Sequence, residues 1–231
     1  MQYRTVKVKH RIIFVPDEEL KRLLKSKLKF FKEGMLIKNL PVSVFRRRGG
    51  IKLMLVRHQK NRFFVLIDLI HAFHQITREM ISEVFSDIAD PKFDNCFVQF
   101  GGKEIIPIGF VTSNFIFELF MSRSIDGQLV AWQEKHQGIV TRYADNILCT
   151  WQKNTTEAFE DLRKIFKGLK IRMTPRRPKK WQEPIRFCGI IIPKQGSPRI
   201  SKKKKKEILN QANKKSITSL KGAYAFLDQW K

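Results

Sequence analysis

Cysteine is scarce in this chain of 231 residues: Cys96, Cys149 and Cys188 stand far apart, odd in number and with no Cys-x-x-Cys pair. That excludes a disulfide framework and a cysteine-based zinc site, and it fits a reducing, cytoplasmic setting. Long apolar runs are also missing. No stretch approaches the roughly 18 apolar residues of a membrane span, and the N-terminal Met1-Gln-Tyr-Arg-Thr-Val-Lys-Val-Lys-His10 lacks the apolar core of a secretion signal, so no membrane partner is expected. The third shortage is of acid, with 21 Asp and Glu against 46 Lys and Arg and a net charge of +25. With 42% hydrophobic and 29% charged residues the chain is nonetheless globular and not disordered.

The few carboxylates are unevenly placed. Residues 1–50 carry 14 basic and 4 acidic side chains, residues 51–160 carry 11 and 13, and residues 161–231 carry 21 and 4. Two basic flanks thus enclose a slightly acidic middle. Such flanks suit phosphate contacts with a nucleic acid, and such a middle suits carboxylates gathered for metal ions.

In the middle region, Phe63 to Ile67 is a five-residue apolar run with Asp68 at its end, which reads as a buried strand delivering an acid to its rim. Farther on, Ile139 to Tyr143 and Ile147 to Trp151 alternate on either side of Ala144-Asp145-Asn146, a hairpin with an acid at its tip. Two acids at the ends of neighbouring strands provide the hard oxygen ligands that a pair of divalent ions requires. Asp68 and Asp145 are therefore the candidate pair.

Around them the coarse pattern is mixed. Residues 1–16 read as a strand ended by Pro16, and Asp17-Glu-Glu opens a helix whose apolar face is Leu20, Leu23, Leu24 and Leu28. Arg46-Arg-Arg-Gly-Gly50 reads as a basic loop, and His58 is assigned no role. Thr77 is expected to cap a short helix, 97–103 to form a hairpin, and Thr112 or Ser113 to cap a buried helix over 115–121. Asn154-Thr-Thr-Glu157 is a capping box for a helix ended by Gly168. Lys170 to Met173 reads as a strand. Ser201 caps a helix opening on Lys202 to Lys206, whose five lysines oppose the helix dipole unless a phosphate backbone meets them, and 220–227 reads as a last amphipathic helix.

Four motifs, in this order, resemble the palm of reverse transcriptases. They are Asp68 with Phe73 five residues on, Pro107-Ile-Gly-Phe-Val-Thr-Ser-Asn114, Tyr143-Ala-Asp-Asn146 and Phe187-Cys-Gly189. The bacterial enzymes of retron, group II intron and diversity-generating type are most similar. The resemblance covers about 9–192 and implies an α+β right-hand polymerase fold, with an antiparallel palm sheet packed on helices. Its domains would be fingers at 1–66 and 78–104, palm at 67–77 and 105–192, and a short or partial thumb at 193–231. It further implies RNA-directed DNA synthesis with two Mg2+ or Mn2+ ions at Asp68, Asp145 and Asn146. By position, Lys9 and Arg11 would hold the triphosphate and Phe73 would exclude a ribose 2′-hydroxyl. Ile108 and Gly109 would pass beside the templating pair, and Tyr143, Phe187, Gly189, Lys202 and Lys203 would support the primer and template. The implied partners are an RNA template, a DNA or RNA primer and a dNTP, and the short thumb leaves room for an accessory protein subunit.

The chain departs from the family at two motifs. The usual second carboxylate of the hairpin is Asn146, a neutral and weaker ligand, so activity is expected to be weakened or shifted toward manganese. Ile108 replaces the glutamine of intron and retron enzymes, as in the diversity-generating enzymes, where an aliphatic residue is linked to low-fidelity copying. The alternative raised by Asn146 is a weakened or silent RNA-binding protein on the same scaffold, for example in phage defence.

Overall fold

The structure, a computed structural model, describes residues 2–8, 11–34, 50–85, 93–153, 156–174, 177–213, 223–224 and 227–228. In chain order its elements begin with β1 (Tyr3–Val8), β2 (Arg11–Pro16), α1 (Glu18–Gly34), α2 (Gly50–Arg57), a 3-10 turn at His58–Lys60 and β3 (Phe63–Asp68). There follow α3 (Ala72–Gln75), α4 (Arg78–Val84), β4 (Val98–Phe100), β5 (Lys103–Ile105), α5 (Ser113–Ser124) and α6 (Asp126–His136). The rest are β6 (Ile139–Tyr143), β7 (Asn146–Trp151), α7 (Thr156–Gly168), β8 (Lys179–Lys180), β9 (Ile185–Phe187), β10 (Ile190–Ile192), β11 (Arg199–Ile200) and α8 (Lys202–Asn213). Every strand pair is antiparallel, and the class is α+β, as the sequence implies. No helix among the described residues is long and apolar enough to cross a membrane.

The chain forms two compact units, the first being Met1–Leu40, Leu69–Val130 and Asp161–Thr174. Its α1 starts where Asp17 Oδ1 accepts from the Leu20 amide at 2.7 Å, with Glu18 and Glu19 in the first turn and Lys32 in the last, as the helix dipole favours. Leu20, Leu24 and Phe31 form its buried face, and Phe31 stacks on Phe93 at 4.7 Å and on Phe115 at 5.7 Å. Burying a phenylalanine in this way contributes about 2 kcal/mol. Residues 115–121 of α5 are all buried, which follows from a helix apolar on every side.

The second unit is Pro41–Asp68, Ala131–Glu160 and Pro175–Lys231. It holds a four-stranded sheet in the order β6-β7-β3-β8 and a three-stranded sheet in the order β11-β10-β9. Leu55, Leu148, Trp181, Ile185, Phe187, Ile190 and Ile192 form one core cluster beneath them. Lys194 adds a cation over the Trp181 ring, 4.9 Å from its centre.

Several sequence expectations change. The single strand over 1–16 is a hairpin, with Val8 opposite Arg11 and Tyr3 opposite Pro16. α2 and α6, which the sequence reading did not include, are helices. Lys170–Met173 is not a strand, because Lys170 takes a positive φ of 56° and only Met173 bridges, to Leu69. Thr77 does cap α4, its side chain accepting from the Met80 amide at 3.3 Å. Neither Thr112 nor Ser113 caps α5, since the Ser113 hydroxyl instead donates to the Pro107 carbonyl at 2.5 Å. Arg46 to Gly49, Asn154 and Thr155 of the capping box, and part of the last helix lie outside the described residues.

Candidate active site

The acids are positioned by one sheet. β3 pairs with β7 along its whole length, from Phe63 opposite Trp151 to Asp68 opposite Asn146. In β3 the buried Val65 and Ile67 alternate with half-buried Phe64, Leu66 and Asp68, so a one-residue slip of β3 would exchange its faces, and this alternation holds the register; Ile147 to Trp151 of β7 are buried on both faces. β6 joins β7 through the two-residue loop Ala144-Asp145, with Tyr143 opposite Asn146. Asn146 is thus the first residue of β7 and not part of the turn. The register brings Asp68, Asp145 and Asn146 together at one end of the sheet, all half-buried.

The tip carries backbone strain. Ala144 has a positive φ of 52°, a left-handed conformation that costs a residue with a side chain about 1 kcal/mol. Beside it the Asn146 Nδ2–H donates to Asp145 Oδ1 at 2.9 Å. The amide therefore braces a carboxylate where a second negative charge would repel it. The donor set, two carboxylates and one amide oxygen, is all hard oxygen and fits magnesium or manganese, with one formal charge fewer than three carboxylates would supply. Among the described residues no group of three or more His, Cys, Asp and Glu side chains is placed to hold a metal.

The turn between β9 and β10 lies close enough to these acids to feel their charge. Burial, with Asp145 and Asp68 acting in the same direction and Lys204 opposing them, pushes the Cys188 thiol up to about 12. Tyr143, 40% exposed, is raised by burial and by Cys188. Cys188 and Gly189 both have positive φ, 51° and 83°. A Cβ on Gly189 would lie 2.7 to 3.0 Å from the Lys204 stem, so only glycine lets the turn seat against α8. The Gly189 carbonyl accepts from the Ser201 amide at 2.9 Å, and Ser201 Oγ caps α8 at the Lys204 amide, 3.2 Å. Phe187 is buried in the core cluster, whereas Lys202 and Lys203 are exposed on the first turn of α8. Sequence reasoning did not select Cys188, although it stands between two residues that were selected.

The other candidates belong to the first unit. Arg11 is exposed at the start of β2, and Lys9 lies outside the described residues. The Phe14 amide donates to the Ile108 carbonyl at 2.7 Å, and Gly109, at φ 116°, leaves space that a Cβ would fill at 2.3 Å from the Phe14 carbonyl oxygen. The Ile108-Gly109 turn and the β1–β2 hairpin are therefore one packed feature. Phe73 is half-buried and stacked on Phe117 of α5 at 4.8 Å, which fixes its ring.

Residues 7–192 match the family described as reverse transcriptase (RNA-dependent DNA polymerase). The chain belongs to the reverse transcriptase family. Among solved structures, the chain is similar to telomerase from Candida albicans in complex with a TWJ fragment of telomeric RNA, at TM-score 0.55 and 9% identity over 87% of this chain and 46% of that one. It is similar to apo telomerase from Candida tropicalis, at TM-score 0.52 and 9% identity over 96% of this chain and 50% of that one. It is also similar to the BmCPV RNA-dependent RNA polymerase at its elongation state, at TM-score 0.53 and 9% identity over 84% of this chain and 21% of that one. These likenesses establish the polymerase fold, and the chain spans half or less of each of these proteins. No curated protein matches the sequence. The region matched to the family ends before α8 and the lysine run.

Proposed function

We propose that the chain catalyses primer extension with dNTPs on an RNA template, as a bacterial-type reverse transcriptase of the retron, group II intron or diversity-generating group. The observation that carries this is the pairing of Asp68 with Asn146 across β3 and β7, with Asp145 at the adjoining tip. Asp68 and Asp145, with the Asn146 amide oxygen, hold two Mg2+ or Mn2+ ions, which when bound activate the primer 3′-hydroxyl and stabilise the leaving pyrophosphate. Arg11 and Lys9 bind the triphosphate. Phe73, its ring fixed against Phe117, admits a deoxyribose and excludes a 2′-hydroxyl. Gly109 and Ile108 pass beside the templating pair, and Ile108 implies low-fidelity copying. Tyr143, Phe187 and Gly189 support the primer end, while Lys202 and Lys203 contact the phosphate backbone. In this reading 1–66 and 78–104 act as fingers, 67–77 and 105–192 as palm and 193–231 as a short or partial thumb. The site of action is cytoplasmic.

The test is primer extension on an RNA template with dNTPs or NTPs, in magnesium and in manganese. Extension with dNTPs that disappears in Asp145→Ala and rises in Asn146→Asp supports the reading. The hydrogen bond from Asn146 to Asp145 favours one alternative, a weakened or silent RNA-binding protein such as a phage-defence factor. RNA binding without extension in both the natural chain and Asn146→Asp selects it.

A further inference from the structure

We infer that the turn at His58–Lys60, with Asn61 after it, is a positioning element that ties the stem of the Asp145 hairpin to the strand beginning at Gly189. The inference rests on the functional reading of Asp145 and of the Phe187–Gly189 turn given above. Three side chains within four residues leave this turn for three distant parts of the second unit. His58 is fully buried, its Nδ1 2.8 Å from Thr150 Oγ1 on β7 and its Nε2 2.7 Å from Thr141 Oγ1 on β6. Asn61 Nδ2 donates to the same Thr150 Oγ1 at 2.8 Å. Gln59 Nε2 donates to the Pro193 carbonyl at 2.8 Å and to the Gly196 carbonyl at 2.6 Å, directly after β10. Lys194 returns the connection by donating from Nζ to the Asn61 carbonyl.

Counting donors closes the network. A neutral imidazole offers one N–H and one lone pair. With the Asn61 amide on one Thr150 lone pair, either tautomer completes the network: one ring nitrogen of His58 donates to the threonine hydroxyl it faces, and the other accepts from the hydroxyl on the opposite strand. Burial keeps His58 neutral, holding its pKa down to about 3. Thr141 and Thr150 are themselves buried, so each bond is made away from water, where a missing partner is costly and the geometry is held tightly. An apolar contact at the same place would tolerate sliding of β6 on β7. Directional bonds from one ring to both strands do not.

His58 and Gln59 are accordingly positioning residues for two different things. His58 sets the hairpin that carries Asp145, and Gln59 sets the far end of β10 and, through it, the Gly189 turn. Two mild variants of the full chain separate them. Thr141→Val keeps the shape of the side chain but removes the hydroxyl that partners His58 Nε2, and Gln59→Ala removes a half-exposed amide. In Thr141→Val the Mn2+ dissociation constant, read by electron paramagnetic resonance of Mn2+, is expected to rise about tenfold, the size of effect seen when groups that orient a metal ligand are lost. Its primer–template KM should stay within twofold, and Thr141→Ser should restore the metal affinity. Gln59→Ala should show the reverse, a primer–template KM or dissociation constant raised about tenfold with Mn2+ affinity unchanged. If both variants lower only the thermal midpoint, while Mn2+ affinity and primer–template binding stay within twofold of the natural chain, the turn is a structural feature alone and the inference is overturned. Failure of the polymerase reading is distinct from this: a natural chain that does not extend a primer still reports Mn2+ and primer–template dissociation constants, and the two variants still divide them or do not.

Discussion

In the hairpin of β1 and β2 every residue of the first strand is exposed, with Tyr3, Val6 and Val8 open to water between Arg4, Thr5 and Lys7. In the hairpin of β6 and β7, by contrast, Val140 to Arg142 and Ile147 to Trp151 are buried, and a neutral histidine grips both strands from below. The first hairpin is anchored chiefly through β2, where Phe14 is held against Ile108 and Gly109. The second is held along its length. Basic side chains that meet flexible phosphates need little precision, whereas carboxylates that share metal ions must be fixed to within a fraction of an ångström. The difference in burial matches the different tasks proposed for the two hairpins.

The sharpest break in this comparison comes at the Asp145 tip. Asp145→Asn removes a metal-binding charge while keeping shape, and extension in manganese is expected to fall by about a thousandfold or more, with RNA affinity in a filter-binding assay unchanged. A second break concerns the anchor of the exposed hairpin. Gly109→Ala forces a Cβ onto the Phe14 carbonyl at a φ of 116°, and chemical denaturation should show a loss of about 3 kcal/mol.

Acid distinguishes the hairpins next. The unfolded chain protonates His58 near 6.5, but the folded chain resists until about 3, so stability is complete above pH 6.5 and is lost as pH falls toward 3. Between pH 7 and 5 this group alone should remove about 2 kcal/mol, and His58→Gln should flatten that slope in parallel denaturation curves. The smallest effect belongs to the open strand: Val6→Thr should change stability by less than about 0.5 kcal/mol, and a larger loss would mean that β1 is buried in solution.

What could be read from the residues divides along the same line. The acid at the end of Phe63–Ile67, the buried α5, the Thr77 and Ser201 caps and the 97–103 hairpin all follow from local pattern, and each is present. α2 escaped because its apolar residues do not share a face: Met54 and Leu55 are buried while Leu53 and Val56 are exposed. α6 escaped because Leu129 and Trp132 are the only apolar side chains it fully buries, beside a buried Asp126, and Gly127 weakens its start. The β1–β2 hairpin escaped because Lys9-His10, the sequence between its strands, carries no turn signature. His58 could not be read at all, since its partners stand 83 and 92 residues away in the chain. The brace between Asn146 and Asp145 joins neighbours, yet it depends on a side-chain rotamer that sequence does not state.

The three cysteines have a consequence for redox chemistry. Cys96 and Cys149 are wholly buried, Cys188 is largely so, and burial raises all three thiols, Cys96 to about 11 and Cys188 to about 12. Thiolate is the species that attacks disulfides and alkylating reagents, and at neutral pH these groups hold almost none of it. Once folded, the chain therefore resists mixed-disulfide formation and air oxidation by its own packing. Only the unfolded chain would depend on a reducing medium to keep its thiols free.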